Sequence, residues 1–226
     1  YSSHDWTGDV SILSGTGVPS TSTLAGAAAG TYNLTYTVTD DNGCIGTDDI
    51  VVEINEQPVL SGDQEICEDE VTTISSTGTP DGTTPWSTSD ASVATVDVNG
   101  DVTGVSGGTA DITFLDANGC SETITITVNP KPTITLTPND PTTCNGTDGF
   151  ITVNGAVNGV VDWSGTASGT SGVTALPYDI TNLEAGNYDV TFTDDVTGCV
   201  SDVETTTLNN PGAPVIDNID DTSSCE

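Results

Sequence analysis

Ala29-Gly-Thr-Tyr-Asn-Leu-Thr-Tyr-Thr-Val-Thr-Asp-Asp-Asn-Gly-Cys44 decides the fold, because the chain writes it three times. The second copy is Gly107-Gly-Thr-Ala-Asp-Ile-Thr-Phe-Leu-Asp-Ala-Asn-Gly-Cys120, and the third is Ala185-Gly-Asn-Tyr-Asp-Val-Thr-Phe-Thr-Asp-Asp-Val-Thr-Gly-Cys199. Gly30, Gly108 and Gly186 are spaced 78 residues apart in both steps, and a fixed long period is the signature of a repeat architecture. In each copy apolar and polar residues alternate, as in a strand with one buried face. An acidic turn ending in glycine follows, and then a cysteine. The remaining segments fall into register around these copies.

That register divides the chain into residues 1–56, the later part of one domain; 57–130, a complete domain; 131–211, a second complete domain; and 212–226, the opening strand of another. In the two complete units an opening cysteine precedes a tryptophan by 19 residues: Cys67 with Trp86, and Cys144 with Trp163. The turn cysteine then follows at Cys120 or Cys199. Between Ser92 and Val105 the pattern is a hairpin, with Asn99-Gly100 supplying the positive-φ turn. Ile124, Ile126 and Val128 form the inward face of a closing strand, and Ile50, Val52 and Ile54 do the same in the first unit. The junctions Asn55-Glu-Gln-Pro58, Asn129-Pro-Lys-Pro132 and Asn209-Asn-Pro-Gly-Ala-Pro214 are short and carry proline. Proline fixes φ, so these linkers are stiffer than Gly/Ser tethers. The expectation is all-β: tandem Ig-like β-sandwich domains in a row, disulfide-stapled and joined by short proline linkers.

Six cysteines without a C-x-x-C pair fit disulfides in an oxidising, extracytoplasmic setting better than a metal site. Read as a Cys…Trp…Cys frame of the kind that staples Ig sandwiches, they predict bridges Cys67–Cys120 and Cys144–Cys199. Cys44 and Cys225 then pair outside this sequence. Trp6, Trp86 and Trp163 read as core anchors, with sugar-stacking platforms as the rival reading. Tyr32 and Tyr188 begin the repeated strand where a tyrosine corner would tie the strand to the loop before it.

Composition narrows the function. Thirty-four acidic residues face one lysine, Lys131, and no arginine, for a formal net charge of −33. Such a polyanion repels nucleic-acid phosphates and anionic lipid headgroups, and no apolar run is long enough to span a bilayer. Neither nucleic acid nor membrane insertion is expected. The acidic turns offer Asp40, Asp41, Asp116, Asp194 and Asp195 as Ca²⁺ ligands, since carboxylate oxygens converging on a turn suit a hard cation. Asp and Asn are equally ordinary turn formers, and no other cofactor is implied. Catalysis finds little material: His4 is the only histidine, and no phosphate-binding glycine loop precedes a helix. The start at Tyr1 and the absence of methionine read as a segment of a longer exported protein.

Ser92-Val-Ala-Thr-Val96, Gly100-Asp-Val-Thr-Gly-Val105 and Gly108-Thr-Ala-Asp-Ile-Thr113 resemble the bacterial Ig-like group 2 domain of surface proteins. Cys144-Asn-Gly-Thr-Asp-Gly-Phe-Ile-Thr-Val153, and Leu183-Glu-Ala-Gly-Asn-Tyr-Asp-Val-Thr-Phe-Thr-Asp-Asp195 running to Gly198-Cys199, are similar to the repeat of the Bacteroidetes gliding-motility adhesin. The first unit is similar to PKD-type repeats. These resemblances imply a long secreted or cell-surface protein exported by the type IX route, with no catalytic residues. The expected role is a structural segment of an extracellular adhesin or filament. Its partners would be neighbouring repeats, identical chains, or an external surface or glycan. Two alternatives stand: a subunit that polymerises by strand exchange, and a carbohydrate-binding module of a secreted enzyme.

Overall fold

Residues 3–14, 23–24 and 27–212 are described by the structure, a computed structural model. Residues 213–226, with Cys225, lie outside the described residues. The described chain is all-β apart from a single 3-10 turn at Val10–Ile12.

The three copies of the repeated strand become Gly30–Thr39, Gly108–Leu115 and Gly186–Asp194. Alternation does what the pattern promises. Ala110, Ile112 and Phe114 are buried on one face of the second copy, and Tyr188, Val190 and Phe192 on the same face of the third. Each is followed by an antiparallel partner across its acidic turn. Ile45–Ile54 pairs with the first copy, Ser121–Asn129 with the second and Glu204–Leu208 with the third.

Around the second copy lies a four-stranded sheet ordered Trp86–Thr88, Gly108–Leu115, Ser121–Asn129, Glu65–Cys67, the last pair parallel. The opposing sheet is Ala94–Val96, Asp101–Gly104 and Val71–Thr73. Between them pack Ile74, Val102, Ile112 and Ile126, all without solvent exposure. Each such side chain contributes about 1.5–3 kcal/mol relative to an exposed position. The hairpin predicted at Asn99-Gly100 is present, with Gly100 at φ +88°. A Cβ there would lie 2.3 Å from the Ile74 carbonyl oxygen, so glycine is required by both torsion and space.

The third unit opposes Thr135–Asn139, Gly149–Asn154 and Tyr178–Leu183 to a sheet built on Asn158–Gly165, Gly186–Asp194 and Glu204–Leu208. Its core is Ile151, Val153, Val161, Ile180, Tyr188, Val190 and Phe192. Among its described residues the first unit holds a three-stranded sheet of Ser3–Gly8, Gly30–Thr39 and Ile45–Ile54, and a short pair of Leu13–Ser14 with Thr23–Leu24. There the inward face expected of the last strand is only partly realised. Val52 and Ile54 are half-buried, but Ile50 is 49% exposed.

The cysteine pairing is a correction. The bridges expected within units, Cys67–Cys120 and Cys144–Cys199, are absent; Cys67 is bonded to Cys199, across the two units. Strand geometry explains it. Ser121 pairs with Leu115 at one end of Ser121–Asn129, while Asn129 pairs with Cys67 at the other. At about 3.3 Å per residue, that strand holds Cys120 and Cys67 about 30 Å apart, far beyond the reach of a disulfide. The third unit repeats the separation. Cys199 closes the turn beyond Asp194, whereas the Cys144 sulfur sits 3.5 Å from the Pro211 carbonyl, past Leu208 at the Gly186 end of the sheet. Opening and turn cysteines occupy opposite poles of one unit, so only neighbours can bring them together.

Candidate functional site

The junction between the second and third units concentrates the unusual chemistry of the chain. Cys67 ends the strand Glu65–Cys67, and its N–H donates to the Glu70 carboxylate at 2.9 Å. Cys199 is fully buried at the end of the third unit's acidic turn. Their Cα atoms are 5.6 Å apart across a sequence separation of 132. The Cys199 sulfur also lies 4.0 Å from the carbonyl oxygen of Asn129, the residue that opens the linker.

Lys131, two residues further along, makes the second tie. Its ammonium donates to Asp69 of the second unit at 2.6 Å and to Asp202 of the third at 2.9 Å. Its backbone N–H faces the Glu68 carboxylate at 3.4 Å, and Glu68 in turn accepts from Gly107 N–H at 2.8 Å. Asp69, then Asp202, holds the Lys131 ammonium well above the usual lysine range. The aspartates are not adventitious neighbours. Asp69 sits in a tight turn at φ +64°, its N–H donating to the Gly104 carbonyl. Asp202 follows buried Ser201, whose hydroxyl accepts from Phe192 N–H and donates to the Asp202 carbonyl. Glu68, Asp69, Lys131, Pro132, Ser201, Asp202 and Glu204 border a shallow cleft of about 200 Å³.

The acidic turns have a local job. Asp40 Oδ1 accepts from the N–H groups of Asn42 and Cys44, and Asp116 Oδ1 from those of Asn118 and Cys120. Asp194 Oδ1 accepts from Val196 N–H at 2.7 Å. The backbone of Cys44, then that of Asn42, holds the Asp40 carboxyl below its ordinary value. These carboxylates shape the turn that presents each cysteine. With Asp41 and Asp195 beside them, the three turns belong to three separate units, and among the described residues no three His, Cys, Asp or Glu side chains are placed to hold a metal.

Each tryptophan packs across a strand pair. Trp6 stacks on Tyr36 with ring centroids 4.7 Å apart, Trp86 on Phe114 at 4.8 Å, and Trp163 lies against the third core opposite Val190. Tyr32 donates to the Ala28 carbonyl at 2.8 Å, and Tyr188 to that of Glu184 at 2.9 Å. Glu68, Asp69 and Asp202, by contrast, are not singled out by the sequence pattern. The one available signal was the placement of the sole lysine inside a linker.

Residues 59–128 match the model of the bacterial Ig-like domain (group 2). No curated protein matches the chain. Among solved structures, 68% of the chain aligns with 94% of the fibronectin(III)-like modules of CbhA from Clostridium thermocellum, at 15% identity and a TM-score of 0.32. Extracellular cadherin domains 1–4 of protocadherin gamma B7 align with 80% of the chain over 57% of their own length, at 16% identity and 0.23. The SGBP-B protein of the Bacteroides ovatus mixed-linkage glucan utilization locus, solved with a mixed-linkage heptasaccharide, aligns with 92% of the chain over 60% of its length, at 16% identity and 0.23. The fold class is Ig-like and all-β.

Proposed function

We propose that this chain is a non-catalytic, load-bearing segment of an extracellular repeat protein, a stalk or adhesin shaft in which successive Ig-like units are fixed to one another. The observation that carries this reading is the double tie at the junction, Cys67 to Cys199 and Lys131 to Asp69 and Asp202. A disulfide suits an oxidising environment outside the cytoplasm. The strong negative charge keeps neighbouring chains apart and soluble. Surface display, gliding motility and export by the type IX route belong to the same reading, through the adhesin-like motifs of the third unit.

A load-bearing role is tested by pulling. Force applied at the chain ends enters the second unit near residue 57 and leaves the third near residue 211. The disulfide offers a covalent short cut that bypasses the 132-residue separation between Cys67 and Cys199. At up to ~3.6 Å per residue, about 470 Å of chain is shielded from extension. Single-molecule force spectroscopy of the oxidised chain should therefore show no full-length unfolding step from these two units. After reduction each should give a step of about 270 Å, for roughly 75–80 residues. Two full-length steps in the oxidised chain would overturn the proposal.

A second reading, assembly by strand addition, has one observation in its favour. The strand Ile45–Ile54 ends its sheet with Ile45, Ile50 and Val51 exposed, and an unpaired edge of this kind can accept a strand. Concentration-dependent oligomers that survive reduction would favour it over the shaft.

A further inference from the structure

We propose that the Cys67–Cys199 bond is one rung of a repeating inter-unit staple, and that Cys144 is the docking thiol for the turn cysteine of a following Ig-like unit. The inference rests on the shaft reading and extends it to a partner: a unit bearing an Asp-turn-Gly-Cys pole like that of Cys199.

The positions correspond. Cys67 and Cys144 each stand 19 residues before the unit's tryptophan, and each lies beside the Asn-Pro that leads out of its unit. Cys67 pairs with Asn129, just before Pro130. The Cys144 sulfur touches the Pro211 carbonyl at 3.5 Å, and Asn145 N–H donates to the Asn210 side chain at 3.2 Å. In the second unit the thiol at this place is bonded to the next unit; in the third it is exposed and unbonded.

The complementary half is equally regular. Cys44, Cys120 and Cys199 all close the same turn, in which the Asp N–H donates to the cysteine carbonyl at 2.9 to 3.0 Å. Cys120 stands at the pole where the linker from the first unit arrives, since the Gln57 side chain donates to the Ser121 carbonyl at 3.3 Å. Thus Cys120 and Cys44 are placed to receive the opening cysteine of a preceding unit, as Cys199 receives Cys67. Opening cysteines face forward along the chain and turn cysteines face back. Forming each rung removes two hydrogens from two thiols, and glutathione disulfide can accept them, giving two glutathione thiols and one new S–S bond.

The test inserts a second copy of residues 131–211 between Pro211 and Gly212 of the full chain. The added copy carries Cys144→Ser, so it cannot bridge within itself, and Val200→Leu as a mass tag beside its turn cysteine. After oxidation in glutathione buffer, cleavage before aspartates puts every cysteine on its own peptide. The expected result is two cross-linked pairs: Cys67 with the original Cys199 peptide, and Cys144 with the tagged one, each lighter by two hydrogens. The first pair reports that the original units have folded. If it forms while the tagged cysteine alkylates freely, the staple is confined to one junction and the proposal is overturned. If Cys67–Cys199 fails to form even in the chain without the insertion, the shaft reading falls as well.

Discussion

Cys67→Ser is the most informative single change, because it alters the second unit and should be felt in the third. With the second unit folded, Cys67 is held beside Asn129, and Asn129 lies against Cys199. Unfolding the third unit alone therefore opens a loop of about 70 residues that the disulfide keeps closed. In the chain-entropy account such a closure is worth about 4 kcal/mol. Unfolding the second unit alone opens a loop of about 60 residues, again worth about 4 kcal/mol. One bond stabilises both units, although it lies wholly within neither. For units of this size a urea dependence near 1 kcal/mol per molar translates the loss into a shift of about 4 M in midpoint, a large part of a small domain's total stability.

The assay needs one tryptophan per reading. Trp163 packs against the third core and Trp86 against Phe114 in the second, so Trp6→Phe with Trp86→Phe leaves a probe of the third unit alone. In that background Cys67→Ser should lower the Trp163 midpoint by several molar and leave its slope unchanged. A bridge within units predicts something else: Cys67→Ser would act on the second unit only. A Trp163 transition that does not move would refute the reasoning.

Three further outcomes follow from local geometry. Tyr188→Phe should cost about 1 kcal/mol in thermal or urea unfolding, because the hydroxyl of a buried side chain loses its part-buried bond to the Glu184 carbonyl, whereas Tyr32→Phe, on a half-exposed strand, should cost well under that. Gly100→Ala should destabilise the second unit by about 2 kcal/mol or more, since the new Cβ meets the Ile74 carbonyl at a positive φ; an unchanged midpoint would mean the hairpin relaxes freely. The Asp97 carboxyl, held below its ordinary 3.8 first by the Asp101 N–H and then by that of Asn99, stabilises the folded turn fully above that value and loses its contribution as pH falls through the lower folded pKa. A carbon-detected NMR titration with an Asp97 midpoint at or above 3.8 would show that those hydrogen bonds are not made.

What the sequence disclosed and what it hid separate by range of interaction. Alternation in Ala110-Asp-Ile-Thr-Phe114 names the buried face because a strand's side chains alternate by covalent geometry alone. Asn99-Gly100 names a turn because only glycine takes φ +88° without strain. Both signals are complete within a few residues. The cysteines carry no such signal. Within a repeat of fixed period, pairing opening and turn cysteines inside one unit or between neighbours gives the same spacing pattern, unit after unit. The choice depends on whether Ser121–Asn129 runs unbroken from Cys120 to the partner of Cys67, which fixes the two thiols at opposite poles. Lys131 hides in the same way, since its partners Asp69 and Asp202 are 62 and 71 residues away.

The placement of the bond follows from that polarity. Each complete unit already closes a core of fully buried isoleucine, valine and aromatic side chains around its repeated strand. A covalent bond inside it would reinforce what packing supplies. At the joint, where a short linker and a few polar contacts would otherwise hold the units, the same bond links two cores. Placing the sole cation of the chain beside it is consistent with this division. Lys131 neutralises carboxylates that would repel across the joint, while the disulfide fixes their separation. Exposed ion pairs of this sort contribute little by themselves and weaken with salt, so Lys131→Gln should leave the oxidised junction intact. Its effect should emerge only after reduction, as increased mobility between the second and third units. If Lys131→Gln loosens the oxidised junction as much as reduction does, the lysine rather than the disulfide is the principal tie.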